Sequence, residues 1–296
     1  MLTNLHPPKV IEFALAQITE ILKKHIEITS LYYFGMQSSA QGTHNSLNND
    51  ASKQQQHYHF YLFLLSKHIP SNAVANLSDI VRQDSGGKYT ISLLLYMPKQ
   101  LIAALDHNKY FFSRIIQSGG LVEGSPFELA PLQLSQIPEL DIKGITNYTQ
   151  DRTGIAKHCL SLSAIKENAG ILSANLIRLS FEQLFLGTIY AFLHYRPQHH
   201  HPFYLFKLVQ FCHEIPSNIF SEQLFEQSQL KSIFCFNHTE LRYLSSALYS
   251  LADLHMAHSY CQCLLDYLLP IVNHQLQTLK TKNVMKKEKL INKLQE

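Results

Sequence analysis

Between Glu27 and Asp79 the chain holds one acidic residue, Asp50. The runs Ile28–Phe34 and Tyr58–Leu65 inside that interval are rich in β-branched and aromatic residues, and they read as buried strands. A Mg²⁺-dependent phosphoryl or nucleotidyl transfer needs hard oxygen ligands fixed on rigid strands. Gln54-Gln55-Gln56-His57-Tyr58-His59-Phe60-Tyr61 supplies amide, imidazole and phenol instead. A second set of chemically capable residues is His255, His258 and Cys261, which recur every three positions, with Cys263 just beyond. A repeat of three drifts around a helix, whereas a structural zinc needs four converging ligands. No metal is expected there, and none at His59, because a lone strand histidine is ordinarily packed or hydrogen-bonded.

The elements that must position these residues change character along the chain. Pro7-Pro8 precedes Val10, Ile11, Phe13, Ala14, Ile18, Ile21 and Leu22, spaced by three and four as in an amphipathic helix. After the strand 28–34, the Gln-, Asn-, Ser- and His-rich stretch 37–56 predicts a long mobile loop. Beyond the strand 58–65 come a helix over 71–82, a turn at Ser85-Gly86-Gly87 and a strand over 89–96. Pro98 then opens another helix at a position where its missing N–H costs nothing. A short helix over 111–116 stops at Gly119-Gly120, and 121–125 reads as a hairpin corner. Three prolines at 126, 131 and 138, with Gly144 beyond, mark the linker. Helical spacing then occupies 151–167, 171–195, 203–214, 221–233 and 239 to about 289, with no further strand signal. The fold class expected is α+β: an α/β N-terminal domain over 1–135, a linker over 136–150 and an all-α bundle over 151–296.

Composition sets the outer bounds. At 296 residues and 46% apolar, the chain is long enough for two buried cores. The stretch Leu176–Tyr195 is broken by Arg178, Glu182 and Gln183, so no membrane span is expected. Met1–Pro8 lacks the basic flank and apolar core of a secretory signal, which makes the cytoplasm the expected compartment. There the odd set Cys159, Cys212, Cys235, Cys261 and Cys263 reads as buried reduced thiols. The net charge of +3 is too small to argue for nucleic acid alone. Basic residues gather only at 280–289, as on a solvated helix, and the seventeen histidines are scattered.

The order of motifs resembles a bacterial fusion of a minimal nucleotidyltransferase-like domain with a HEPN domain. The resemblance covers almost the whole chain. It is carried by Tyr110-Phe111-Phe112-Ser113-Arg114-Ile115, Gly119-Gly120-Leu121-Val122 and Phe127-Glu128-Leu129-Ala130-Pro131, and by Glu182-Gln183-Leu184-Phe185 running to Tyr195-Arg196-Pro197-Gln198-His199-His200. It implies a nucleotide site at Gly35, Met36, His59 and Tyr61. Each departs from the family pattern: Met36 replaces the second residue of a Gly-Ser phosphate cradle, and His59 and Tyr61 stand where paired aspartates would hold Mg²⁺.

In the second domain the resemblance points to Asp253, His255 and Tyr260, where relatives resemble Asp-x-Arg-Tyr followed by a terminal tyrosine. His255 occupies the arginine position, and a neutral imidazole lacks arginine's permanent charge and paired donors. Arg196 with His201, and Arg152 with His158, echo the Arg–His spacing of HEPN ribonucleases. Pro197 and Pro202 bracket the first pair and the second opens the domain, so both read as coincidences. The function expected is that of a degenerate fusion: a regulatory module binding RNA, a nucleotide or a partner protein, catalytically inactive, without cofactor, and dimeric through its HEPN helices. Two alternatives stand beside it: a metal-independent ribonuclease of toxin–antitoxin or defence type, with Asp253, His255 and Tyr260 catalytic, and an oligomeric scaffold that binds no nucleotide.

Overall fold

The computed structural model describes residues 9–41, 55–125, 137–163, 170–225, 227–234 and 249–295. The chain is mixed α+β and divides into two units, 1–139 and 140–296. In the first, α1 (Lys9–Lys23) leads into β1 (Ser30–Gln41), which pairs antiparallel with β2 (Gln55–Leu65). Then come α2 (Ala73–Asp84), β3 (Tyr89–Tyr96), α3 (Pro98–Ser118) and β4 (Gly120–Gly124). The sheet order is β3-β2-β1-β4, with β2 and β3 parallel and β4 antiparallel to β1, a small mixed sheet.

Side-chain alternation gives this sheet two unlike faces. Leu31, Phe60, Leu62, Leu64, Ile91, Leu93 and Leu95 pack with Leu15, Ile18 and Leu22 of α1 and Leu77 and Val81 of α2 in one core. On the other face the rings of Phe63 and Tyr96 meet Phe112 of α3 at 5.1 and 5.2 Å. Fully burying each such side chain contributes roughly 1.5–3 kcal/mol. Between Tyr33 and Gly35 the β1–β2 register shifts, so Phe34 is the extra residue of a bulge. After the bulge Gly35 opposes Tyr61 and Met36 opposes Phe60.

Several elements differ from the sequence expectation. The polar stretch 37–56 is strand at both ends, where Gln37–Gln41 pairs with Gln55–His59. A ladder is held by backbone groups and tolerates polar side chains on an outer ribbon. Residues 42–54, the middle of the expected loop, lie outside the described residues, as do 126–136 with two of the three linker prolines. The helix opened by Pro98 and the short helix over 111–116 are one continuous α3, started by a bond from the Met97 backbone N–H to Gln100 Oε1 at 3.1 Å.

The second unit is helical: α4 (Ile142–Leu162), α5 (Gly170–Leu193), α6 (Pro202–Cys212), a single 3₁₀ turn over Glu222–Phe225, α7 (Ser228–Phe234) and α8 (Leu251–Gln295). Residues 142–150, expected in the linker, are the first turns of α4. Asp141 caps it by accepting the Gly144 N–H at 2.9 Å. The helix expected over 221–233 is divided between the 3₁₀ turn and α7, and residues 239–248 of the last expected helix lie outside the described residues. By length and hydropathy α5 would also suit a membrane span, but 78% of its most apolar stretch is buried against the rest of the protein. At Gly187 the α4 and α5 backbones approach closely: a Cβ there would meet Thr153 Cγ2 at 3.1 Å and Arg152 Cβ at 3.2 Å.

Candidate functional site

The sequence-predicted nucleotide residues do not share a side of the sheet. Met36 packs against the α1–α2 core. Gly35 and Tyr61 are ladder partners, and the Tyr61 hydroxyl donates to Gln37 Oε1 at 2.9 Å. His59, only 5% exposed, has Nδ1 2.7 Å from Thr90 Oγ1 and Nε2 2.9 Å from Ser92 Oγ. Its ring lies edge-on to Tyr61 at 4.8 Å, and Thr90 Oγ1 also meets His57 Nε2 at 3.2 Å. Parallel pairing of β2 with β3 places Thr90 opposite His59 and Ser92 opposite Tyr61, which is why these hydroxyls reach the imidazole. Both ring nitrogens are committed to the sheet, so holding a metal would cost His59 one of these bonds.

Asp253, His255 and Tyr260 all lie on α8 but do not converge. Ser250 Oγ accepts the Asp253 backbone N–H at 3.1 Å and donates to Asp253 Oδ2 at 2.7 Å, so the Ser250 hydroxyl caps the start of α8 and engages this carboxylate. The Tyr260 ring stands edge-on to Phe220 at 5.9 Å, and His255 is exposed. At 3.6 residues per turn, Asp253 and Tyr260 fall on one side of α8, about 10 Å apart, whereas His255 lies roughly 140–160° around the axis. The neighbouring trio separates too. Cys261 is buried, donating to Ser180 Oγ at 3.3 Å, and burial pushes its thiol pKa up to about 12. Cys263 is exposed, although the sequence placed it among buried thiols. Among the described residues no group of three or more His, Cys, Asp or Glu is arranged to hold a metal ion.

The structure instead gathers a polar cluster that no single sequence motif marks. Arg152 of α4 donates from Nη1 to Gln183 Oε1 of α5 at 2.8 Å, and its guanidinium carbon lies 5.2 Å from the Tyr148 ring centre. Arg196 covers the same ring at 4.2 Å and Tyr190 at 4.9 Å. Glu182 approaches Arg178 at 4.0 Å and His200 Nδ1 at 3.7 Å. The side chains of Arg178 and Glu182 are each 11% exposed, while His200 is 51% exposed. The cluster therefore runs from the helix interior to a wet rim at His199–His201.

Local structure explains how Arg196 reaches back. α5 ends with His194 at φ 57°, a left-handed conformation uncommon outside glycine, and the His194 N–H returns to the Tyr190 carbonyl at 3.1 Å. That turn redirects the chain over Tyr148 and Tyr190 before Pro202 starts α6. Burial raises the Tyr148 pKa, against the opposing pull of Arg152 and Arg196. Partial desolvation and then the Arg178 charge hold His201 below the ordinary imidazole range, although its ring still meets solvent. Arg152 and Arg196, each paired with a histidine in the sequence reading, stack on one tyrosine instead. The available signal was Arg178, Glu182 and Gln183 interrupting an otherwise apolar helix.

No family model, no curated protein and no solved structure matches the chain.

Proposed function

We propose that the chain is a degenerate nucleotidyltransferase–HEPN fusion that recognises RNA or a nucleotide and regulates through that binding, without turnover. The observation that carries this reading is His59. At the strand position where metal-dependent transfer needs a carboxylate, a buried imidazole has both nitrogens engaged by Thr90 and Ser92. Strands 30–41 and 55–65 contain no Asp or Glu at all. Met36 in the apolar core leaves the β1 bulge before Gly35 without a neighbouring hydroxyl for phosphate. Isothermal titration with ATP, GTP and short RNAs, with and without Mg²⁺, tests it. Binding insensitive to Mg²⁺ is expected, and absence of any nucleotide or RNA binding would leave the oligomeric scaffold as the reading.

A ribonuclease reading has one observation in its favour. His201 is held toward its neutral, base-competent form beside Arg178, a pairing general acid–base cleavage of a ribose phosphate can use. The Asp253, His255 and Tyr260 version of that reading requires a two-fold dimer, since one α8 cannot bring them together. Cleavage of total RNA by the wild type, lost in His255→Ala or His201→Ala, would favour turnover over recognition.

A further inference from the structure

We propose that the C-terminal turns of α8 are a docking surface for the phosphate backbone of RNA, read without regard to sequence. This rests on the reading that the chain's ligand is RNA, and it names the surface and the part of the RNA that meet. Leu279 is the last buried residue among the described side chains of α8. Lys280, Thr281, Lys282, Val284 and Met285 beyond it are exposed, and the helix runs on to Gln295. At a rise of about 1.5 Å per residue, Leu279 to Gln295 spans roughly 24 Å of helix. Within it the positions of Lys282, Lys286, Lys289 and Lys293 advance by four, three and four. At about 100° per residue these steps nearly cancel, so the four positions fall in a sector of about 60° on the helix backbone, one lysine per turn.

A helix face that is merely solvated gains from Glu placed three or four positions from Lys. Lys282, Lys286 and Lys289 have no Asp or Glu at either spacing, and Lys293 has only Glu296. Glu288, the other carboxylate after Asp266, sits about 130° around the axis from the middle of the stripe. Successive lysines of the stripe therefore oppose one another, and a polyanion laid along the helix relieves that opposition. The residue types select the backbone over the bases. Lysine is a compact point charge that suits a phosphate, without the planar fork that arginine offers a guanine edge. Residues 268–296 contain no Phe, Tyr, Trp or Arg, so a base meets no ring to stack on. Such contacts position a strand and do not specify its sequence. A lipid surface fits less well, because an interfacial helix buries an unbroken apolar face. Val284, Ile291 and Leu294 share a sector of about 80°, but the positions of Lys280 and Lys287 fall inside it.

The test uses the full-length protein and fluorescence polarisation with two single-stranded RNAs of unrelated sequence, from about 50 to about 200 mM salt. Four phosphate contacts contribute about −3 to the slope of log affinity against log salt, a roughly fiftyfold fall across that range. The quadruple variant Lys282→Gln/Lys286→Gln/Lys289→Gln/Lys293→Gln is expected to lose that contribution for both RNAs alike. Lys282→Gln/Lys286→Gln should make the slope shallower by about 1.4. Lys280→Gln/Lys287→Gln, the same change of charge placed off the stripe, should alter it by less than half as much. Circular dichroism matching the wild type separates lost binding from lost helix. Equal effects of the two double variants, or an unchanged slope in the quadruple variant, overturns the stripe while leaving RNA recognition standing. Stripe-dependent binding of phosphatidylserine vesicles, with RNA binding unaffected by the quadruple variant, assigns the surface to lipid and overturns it as well. Failure of the wild type to bind either RNA overturns both this surface and the RNA reading.

Discussion

Arg196 holds its guanidinium carbon 4.2 Å from the ring centre of Tyr148, a residue 48 positions earlier in the sequence, with Tyr190 on the same cation at 4.9 Å. This contact ties the α5 exit to α4. Tyr148→Leu removes the ring that both Arg152 and Arg196 cover, and is expected to lower stability by about 1–2 kcal/mol in urea denaturation. Tyr148→Phe, which keeps the ring, should stay within about 0.5 kcal/mol of wild type.

At Gly187 α5 passes close to α4. A methyl group there would meet Thr153 and Arg152 at 3.1 and 3.2 Å, so Gly187→Ala makes these packed neighbours give by a few tenths of an ångström, which opposes alanine's better helix propensity. A net loss of about 1–3 kcal/mol is expected. Gly154, with nothing near its Cβ position, is the control, and Gly154→Ala should be neutral or stabilising in the same melt.

The histidine rim gives a pH dependence whose sign follows from His199 and His201. Desolvation first, and then the neighbouring His200 or Arg178 charge, hold their folded pKa values below the ordinary imidazole value of about 6.5. Unfolded imidazoles therefore take up protons near pH 6.5 while the folded ones remain neutral, so stability is present above that pH and falls as the solution is acidified. Thermal melts should show Tm dropping from pH 7 to pH 5.5. The double variant His199→Gln/His201→Gln should flatten that slope; an unchanged slope would remove these rings from the account.

Thiol reactivity divides the cysteines. Burial raises the pKa of Cys159 and pushes Cys261 to about 12, leaving both protonated and shielded at pH 8. Iodoacetamide on the folded protein should label exposed Cys263 and spare Cys159 and Cys261, as read by peptide mass spectrometry. Rapid labelling of Cys261 would contradict its packing against Ser180.

Much of the first unit was legible because its strands are short apolar runs and its helices carry three-and-four spacing. Gln37–Gln41 was not: a polar ribbon paired through its backbone has the composition of a loop. α3 reads as two helices because Asp106 to Lys109 interrupts its apolar face, yet Gln100 starts it and nothing stops it before Gly119. The start of α4 was masked by Gly144, which looks like a break but donates to the capping Asp141. Of the candidate residues, His59 behaved as a hydrogen-bonded strand histidine. Asp253, His255 and Tyr260 were grouped by linear proximity, which a helix disperses around its axis. The stacking of Arg152 and Arg196 on Tyr148 escaped because the two arginines lie 44 residues apart and share that ring only in the folded chain, after the α5 exit turn.

The most direct test of recognition without turnover is a label-transfer experiment. Full-length protein is incubated with α-labelled ATP and a 5′-phosphorylated RNA in Mg²⁺ and separately in Mn²⁺. The expected result is a bound complex from which both nucleotide and RNA are recovered intact, with no label on RNA or protein. Metal-dependent incorporation of label, or shortening of the RNA, would contradict it.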